Sequence, residues 1–577
     1  MLFRSKSKIP QVALLAREIE DRYHGIPQDI EWTYDGQQLW LLQARPVTNL
    51  QPIWTRKIAA EVIPGTIRPL TWSINRPLTC GVWGEIFTLV LGKEAADLDF
   101  NQTATLHFQH AYFNATLLGE IFRRMGLPSE SLEFLTRGAK FSKPPLTSTL
   151  RNLPGLWRLW RKESHLLGDF AKDNRRYFAP LLQELARQPV IDLAAEALLK
   201  RIEKILAALK PATYYSILAP LSFALRQAIT KVPTTSLDNS ETPEIASLRD
   251  LEKLAGQIRT LISAVQLTSL NRELLFTILR ENSAGEVILK EFEQWLDRYG
   301  YLGEVGTDIA IPRWREDSQP VEELLVQLIL EGDTRKSNQQ QIKSAKIQQR
   351  LNLKGRVTAV YSQLLAYLRW SFVALEKIWL ESGILRQPGD IFFLEFSEIE
   401  QLIHNPKSES SNSSEFSEFK DSITLGQSLS QILQQRRQEF EENRARLQIP
   451  YIIYGNTATF TIMPTPTLTI AQQLSGIPAS PGRVEGRVKI MKTFQGIADI
   501  DRNTILVVPY TDSGWAALLA RVGGLIAEVG GSLSHGAIVA REYGIPAVMD
   551  VNHATELLRN NQRVIIDGAR GIVEVLD

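Results

Sequence analysis

The 577-residue chain is short of sulfur, with five methionines and a single cysteine, Cys80. One thiol excludes an intrachain disulfide framework and suits a reducing compartment. Net charge is nearly absent too. Sixty-five Lys and Arg against 64 Asp and Glu leave +1, which offers no field for steering onto nucleic acid or an anionic membrane. Long apolar runs are lacking, so no bilayer span is expected. The basic start MLFRSKSKIP runs into QVALLAREIEDRY, an amphipathic helix pattern with charges inside it, not a signal core. These absences predict a cytoplasmic protein that works on small molecules or with other proteins, without nucleic acid or membrane.

What is present divides the chain. Its length exceeds what one core can serve, and roughly three or four units are expected at about 150 residues each. Residues 11–24 read as a helix, and DIEWTYDGQQLWLLQARPV (29–47) reads as a hairpin. From about 51 to 460 helical periodicity dominates, and nine of the 12 tryptophans lie there. Two stretches poor in apolar residues, 233–244 and 406–422, read as flexible loops. Beyond LSGIPASPGRVEGRV the pattern changes to short strands and short helices, which makes 474–577 a compact α/β unit.

Histidine is scarce, seven in all, and His535 stands out. It follows a glycine pair, Gly530 and Gly531, and opens a helix that Ser532 or Ser534 can cap. Unpaired N–H groups and the positive dipole end favour an anion there, so a phosphoryl group on the imidazole would be held where it forms. Arg541 adds positive charge, though not from the same helix face. Taken alone, a histidine in a first turn is more often structural than nucleophilic. His107 and His110, in HFQH, are spaced for a helical face and could bind a metal, but lack a third ligand nearby.

Two registers are open to the hairpin. A two-residue loop at Asp35-Gly36 puts Glu31 and Gln43 on opposite faces. A three-residue loop, Asp35 to Gln37, pairs Trp32 with Trp40 and Ile30 with Leu42, and gathers Asp29, Glu31, Leu41, Gln43 and Arg45 on the other face. The second stacks apolar on apolar. It also brings together a carboxylate, an amide oxygen and a guanidinium, a set that suits magnesium and a polyphosphate.

The segment GGSLSHGAIVAREYGIPAV resembles the phosphohistidine signature of the phosphoenolpyruvate-utilising enzymes, and ASPGRVEGRV (479–488) resembles the opening motif of the same domain. Leu533 and Gly536 depart from the usual threonine and the frequent alanine. The resemblance implies a swivelling β/β/α domain with His535 as phosphocarrier, supported by Gly530, Gly531, Ser534 and Arg541. PQDIEW...LLQARPV looks like the last hairpin of the family's ATP-grasp domain, which implies Glu31 and Gln43 as magnesium ligands and Arg45 as a contact to ATP. The expected fold class is therefore multidomain α and α/β: an ATP-grasp remnant (1–50), a helical substrate domain (51–460) and the swivelling domain (474–577).

Segments 60–73, 299–317 and 388–399 resemble the substrate domain of the rifampin-phosphotransferase type of arrangement, with Glu304, Asp308, Arg313 and Arg315 as acceptor-site candidates. The expected function is a phosphotransferase passing phosphate from ATP, with Mg2+, through His535 to a small-molecule acceptor, the nucleotide site being completed by a separate ATP-grasp polypeptide. The alternatives are a phosphoenolpyruvate synthase relict without its pyruvate barrel, or a non-catalytic ligand-binding or regulatory protein.

Overall fold

The fold comes from a computed structural model, which describes residues 9–22, 28–47, 51–57, 59–125, 153–230, 237–267, 269–331, 345–404, 429–446, 449–456, 473–492, 500–512, 515–519, 521–531 and 534–576. Helix α1 (Ile9–Arg22) lies against a hairpin of β1 (Gln28–Tyr34) and β2 (Leu39–Pro46). The turn is neither of the two expected. Asp35 sets a four-residue turn: Oδ1 accepts from the N–H groups of Gln37 and Gln38 at 2.8 and 2.9 Å, and Oδ2 accepts from the Trp40 indole at 2.7 Å. The register then shifts between Glu31 and Trp32, where Leu42 is the extra residue of a bulge. Trp32 therefore pairs with Leu41, not Trp40, and Ile30 with Ala44, not Leu42.

The region expected to be helical begins with a small sheet. β3 (Ile53–Thr55) leads to α2 (Ala59–Val62) and α3 (Pro69–Leu91), then to β4 (Ala104–His107) and β5 (His110–Asn114). HFQH is thus a β-turn and not a helical face. His107 and His110 pair across the strands, with Phe108 and Gln109 at φ 51° and 55° between them. Burial pushes His110 down to about 3, so it stays neutral.

Two long helices organise the main core, α4 (Ala195–Thr230) and α6 (Ala345–Glu381). Ile202 and Ile205 of α4 share that core with Leu364, Leu368 and Phe372 of α6, and Phe170 joins them. A second core forms around α5 (Pro243–Arg259), where Phe292, Trp295 and Trp314 stack. Helix α5 corrects an expectation. The polar stretch 233–244 is not a loop to its end, because Pro243 opens α5 and Glu244 sits in its first turn, buried. Residues 406–422 lie outside the described residues. Strand β6 (Ile452–Tyr454) returns to pair with β3, closing the sheet order β4-β5-β3-β6.

The C-terminal unit is an eight-stranded sheet in the order β7-β14-β13-β9-β10-β11-β12-β8. Its strands are β7 (Gln473–Ser475), β8 (Ile477–Ser480), β9 (Arg483–Ile490), β10 (Thr504–Val508), β11 (Gly524–Ala527), β12 (Ala547–Met549), β13 (Arg563–Asp567) and β14 (Ile572–Val575). β7 and β8 occupy opposite edges although only Gly476 separates them, so the sheet must roll until its edges meet. Glycine is required at that corner, since a Cβ there would lie 2.3 Å from the Met549 carbonyl oxygen. Alternation splits β10 between two cores. Ile505 and Val507 point into the roll, while Leu506 and Val508 face helix α7 (His535–Glu542) and its neighbours.

Candidate functional site

The loop after β11 delivers His535. Gly530 has φ +129°, a conformation side chains rarely adopt, and the chain turns there into α7. Ser534 occupies the N-cap position, yet its side chain makes no capping bond; its hydroxyl donates to the Gly531 carbonyl at 2.9 Å. The cap comes from elsewhere: Thr511 Oγ1, just beyond β10, accepts from the Gly536 N–H at 3.2 Å. A Cβ at 536 would stand 2.5 Å from that oxygen, which explains glycine at this position. Ser532 and Leu533 lie outside the described residues. Arg541 is turned away from the histidine: its guanidinium donates to the Ala479 carbonyl at 2.7 Å, and burial lowers it to about 10.

The partner of His535 belongs to the helical region. Glu244 Oε1 lies 3.1 Å from His535 Nδ1, and that oxygen has no hydrogen bond to any other group among the described residues. Lys354 of α6 completes the lining with Thr242, Thr358 and Ile538. Gly355 permits this approach, because a Cβ there would meet the Glu241 carbonyl oxygen at 2.6 Å. Glu61, in the last turn of α2, acts on the same group and takes the Gly531 N–H.

The electrostatics follow from this meeting of domains. Burial pushes His535 down, but Glu244 and Asp512 push harder, and the imidazole is held above its ordinary value. Burial pushes Glu244 up, yet His535, its own helix N-terminus and Lys354 bring it below the usual carboxylate range. Lys354 is lowered by burial, against the pull of Glu244 and Glu61. With Nδ1 occupied and 35 % of the side chain exposed, Nε2 is the nitrogen free to react.

Around this centre the interface is knitted at several points. Ile245 of α5 is buried within the C-terminal core, Lys57 pairs with Asp550 at 3.3 Å, and Glu542 joins Arg249 and Asn239. Asp512 accepts from the Gly306 N–H at 2.9 Å.

The hairpin gathers four of the expected groups by the bulged register: Glu31 faces Gln43, Asp29 faces Arg45, and Arg45 bridges Asp29 at 3.3 Å and Glu31 at 3.4 Å. Leu41 does not join them. This face is solvent-exposed, an orientation open to a ligand.

The acceptor candidates separate. Arg313 is fully buried, and its terminal nitrogens donate to the carbonyls of Val305, Gly306 and Asp308. Asp308 is also buried, taking Thr71 Oγ1 at 2.5 Å and the Ala310 N–H. Both hold the 301–316 loop together and present nothing to a ligand. Arg315 lies outside, beside Asp297 and over Trp370, while Glu304 is half-buried near Tyr510.

Sequence reasoning missed Glu61, Glu244 and Lys354. It also missed an apolar cleft where Ala59, Ile63, Trp72, Ala111 and Phe113 surround Asn75, whose buried Oδ1 has no partner. Helix α2 joins the two places, lining this cleft with Ala59 and reaching the histidine with Glu61.

Known families match the chain along its length. Residues 500–571 match the PEP-utilising enzyme mobile domain, 4–62 the pyruvate phosphate dikinase AMP/ATP-binding domain, and 223–373 the rifampicin phosphotransferase fourth domain. All three are domains of phosphoenolpyruvate-utilising enzymes, which the chain resembles, and together they indicate a phosphotransferase. A rifampicin phosphotransferase of Bacillus cereus is 23% identical across 99% of the chain and 69% of that protein. The prodigiosin synthesizing transferase PigC of Serratia marcescens is 24% identical across 98% of the chain and 70% of that protein. A rifampicin phosphotransferase of Bacillus subtilis is 30% identical, but over 34% of the chain and 20% of its own length. The fold class expected from the sequence, a multidomain chain ending in a phosphohistidine-type α/β unit, holds. Among the described residues no helix is long and apolar enough to cross a membrane.

Proposed function

We propose that this phosphotransferase carries phosphate on His535 Nε2 from ATP to a hydroxyl of a small molecule bound in the helical region. The observation that carries the reading is His535 at the start of α7, partly exposed, with Glu244 at its Nδ1, lining a cleft together with Lys354 of the helical region. The helix N-terminus, with Gly530 and Gly531 before it, favours the added negative charge, and Lys354 balances it.

The donor side draws on the hairpin. Glu31 and Gln43 present two oxygens side by side, a set that fits magnesium shared with phosphate oxygens, and Arg45 fits the phosphate itself. A nucleotide-binding polypeptide meeting the exposed hairpin, where Trp40 and Leu42 are bare, would complete the ATP site. On the acceptor side, the apolar cleft around Asn75 leaves one buried amide oxygen without a partner among the described residues, an acceptor for a hydrogen-bond donor. Carriage between the two is compatible with a domain tied to the rest by scattered polar contacts and by the Ile245 and Tyr543 side chains.

The test is incubation with magnesium and ATP labelled at the β or γ position, with and without an ATP-grasp partner. Acid-labile label on the wild type and none on His535→Ala is expected. Absence of label in every arm, or equal label on the variant, would remove His535 from the pathway.

A further inference from the structure

Glu244 is placed oddly for a docking residue. It is 5% exposed, it stands in the first turn of α5, and its Oε1, which makes no hydrogen bond to any other group among the described residues, lies 3.1 Å from His535 Nδ1. Burying a carboxylate oxygen this way is costly unless a charge or a donor meets it. The groups facing the imidazole are Glu244 from α5, Lys354 from α6, Glu61 from α2 and Asp512 from beyond β10. Of these, Glu244 is the one set against Nδ1.

The chemistry of departure explains why Nδ1 matters. When phosphate leaves Nε2, the electron pair of the P–N bond returns to that nitrogen. If Nδ1 carries a proton the ring departs as neutral imidazole; if it does not, the ring departs as imidazolate, a far poorer leaving group. Attack on ATP needs Nε2 unprotonated, which the Nδ1–H tautomer also provides.

We propose that Glu244 is the positioning residue that arms the carrier for delivery: by engaging Nδ1 only while the C-terminal domain is docked on α5, it keeps the proton there and makes the phosphohistidine labile at this station. This rests on His535 being the carrier. In the step itself the acceptor oxygen bonds to phosphorus as the P–Nε2 bond breaks. The acceptor proton passes to the Glu61 carboxylate, and the Nδ1 proton stays between imidazole and Glu244. The phosphocarrier would thus be stable in transit and reactive on arrival, with the switch housed outside the carrier domain.

The experiment loads the full chain chemically with phosphoramidate, which bypasses the ATP site. Decay of the phosphohistidine is followed by 31P NMR from pH 6 to 8, water standing in for the acceptor, in wild type, Glu244→Gln, Glu244→Asp and His535→Ala. Wild type should decay at a nearly constant rate across the range. Glu244→Gln should slow progressively with rising pH, by about tenfold or more at pH 8, and Glu244→Asp should recover much of the loss. A Glu244→Gln profile that matches wild type, or one lowered equally at every pH, overturns the proposal. In parallel, 15N-histidine spectra of the unphosphorylated chain should show an Nδ1–H signal lost in both Glu244→Gln and His535→Ala. If that signal behaves so but the wild type takes no phosphate, the carrier reading fails while the Glu244 contact stands; if the signal survives Glu244→Gln, the contact fails.

Discussion

At single positions, close packing decides more than motif membership. Gly536 departs from the frequent alanine because Thr511 fills the space and supplies the cap in one side chain. Gly536→Ala should therefore destabilise the C-terminal domain by about 1–3 kcal/mol through overpacking, read as a lower urea midpoint. Arg541→Ala should lower the thermal midpoint, because Ala479 loses its donor, yet leave His535 labelling in place. The His535–Glu244 pair sets a pH window. A raised imidazole contributes fully below its ordinary value of 6.5 and is lost as pH climbs through its higher docked value. A lowered carboxyl contributes above its ordinary 4.5 and is lost as pH falls through its lower docked value. Hydrogen exchange across the α5–α7 seam should thus be slowest between these limits and quicken on either side. An exchange rate that ignores pH, after correction for intrinsic chemistry, would contradict the pairing.

Among the elements, the hairpin shows how a correct grouping can come from an incorrect register. Alternation and a short loop brought Glu31, Gln43 and Arg45 to one face, and they share it. The route is different, because Asp35 caps a longer turn and Leu42 is bulged out. Neither event has a pattern in hydrophobicity alone, since the Asp35 bonds run to two backbone N–H groups and an indole N–H, and the bulge is set by ladder geometry. Cysteines at 31 and 43 should cross-link on oxidation, whereas a 31 and 41 pair should not; the reverse result would restore the three-residue loop. The strands of the C-terminal unit were legible because each is a short apolar run between turn residues, β10 and β11 above all. Its edge strands β7 and β8 were not, being polar and broken by Gly476 and Pro478. The site was half legible for a related reason. His535 sits in a local motif, while Glu61, Glu244 and Lys354 meet it only through the packing of α2, α5 and α6. Glu244 was further hidden in a polar stretch that composition alone assigns to a loop.

Over the whole molecule, several contacts of the C-terminal domain are ion pairs that can be opened one at a time. Arg249→Glu would set like charge against Glu542, and Lys57→Glu would do the same to Asp550. The double variant should enlarge the radius of gyration in small-angle scattering and speed proteolysis between the helical region and β7. Unchanged scattering would show that the remaining contacts, Ile245 and the Asp512–Gly306 bond among them, suffice to hold the domain. Ile245 also bears on time. If phosphate travels on His535, each cycle must pull Ile245 out of the C-terminal core and return it, so the grip that holds the carrier at delivery also delays its next departure. A tighter seam would make a sturdier protein and a slower one, and trimming Ile245 to alanine would move the molecule toward a faster stroke at the expense of its hold.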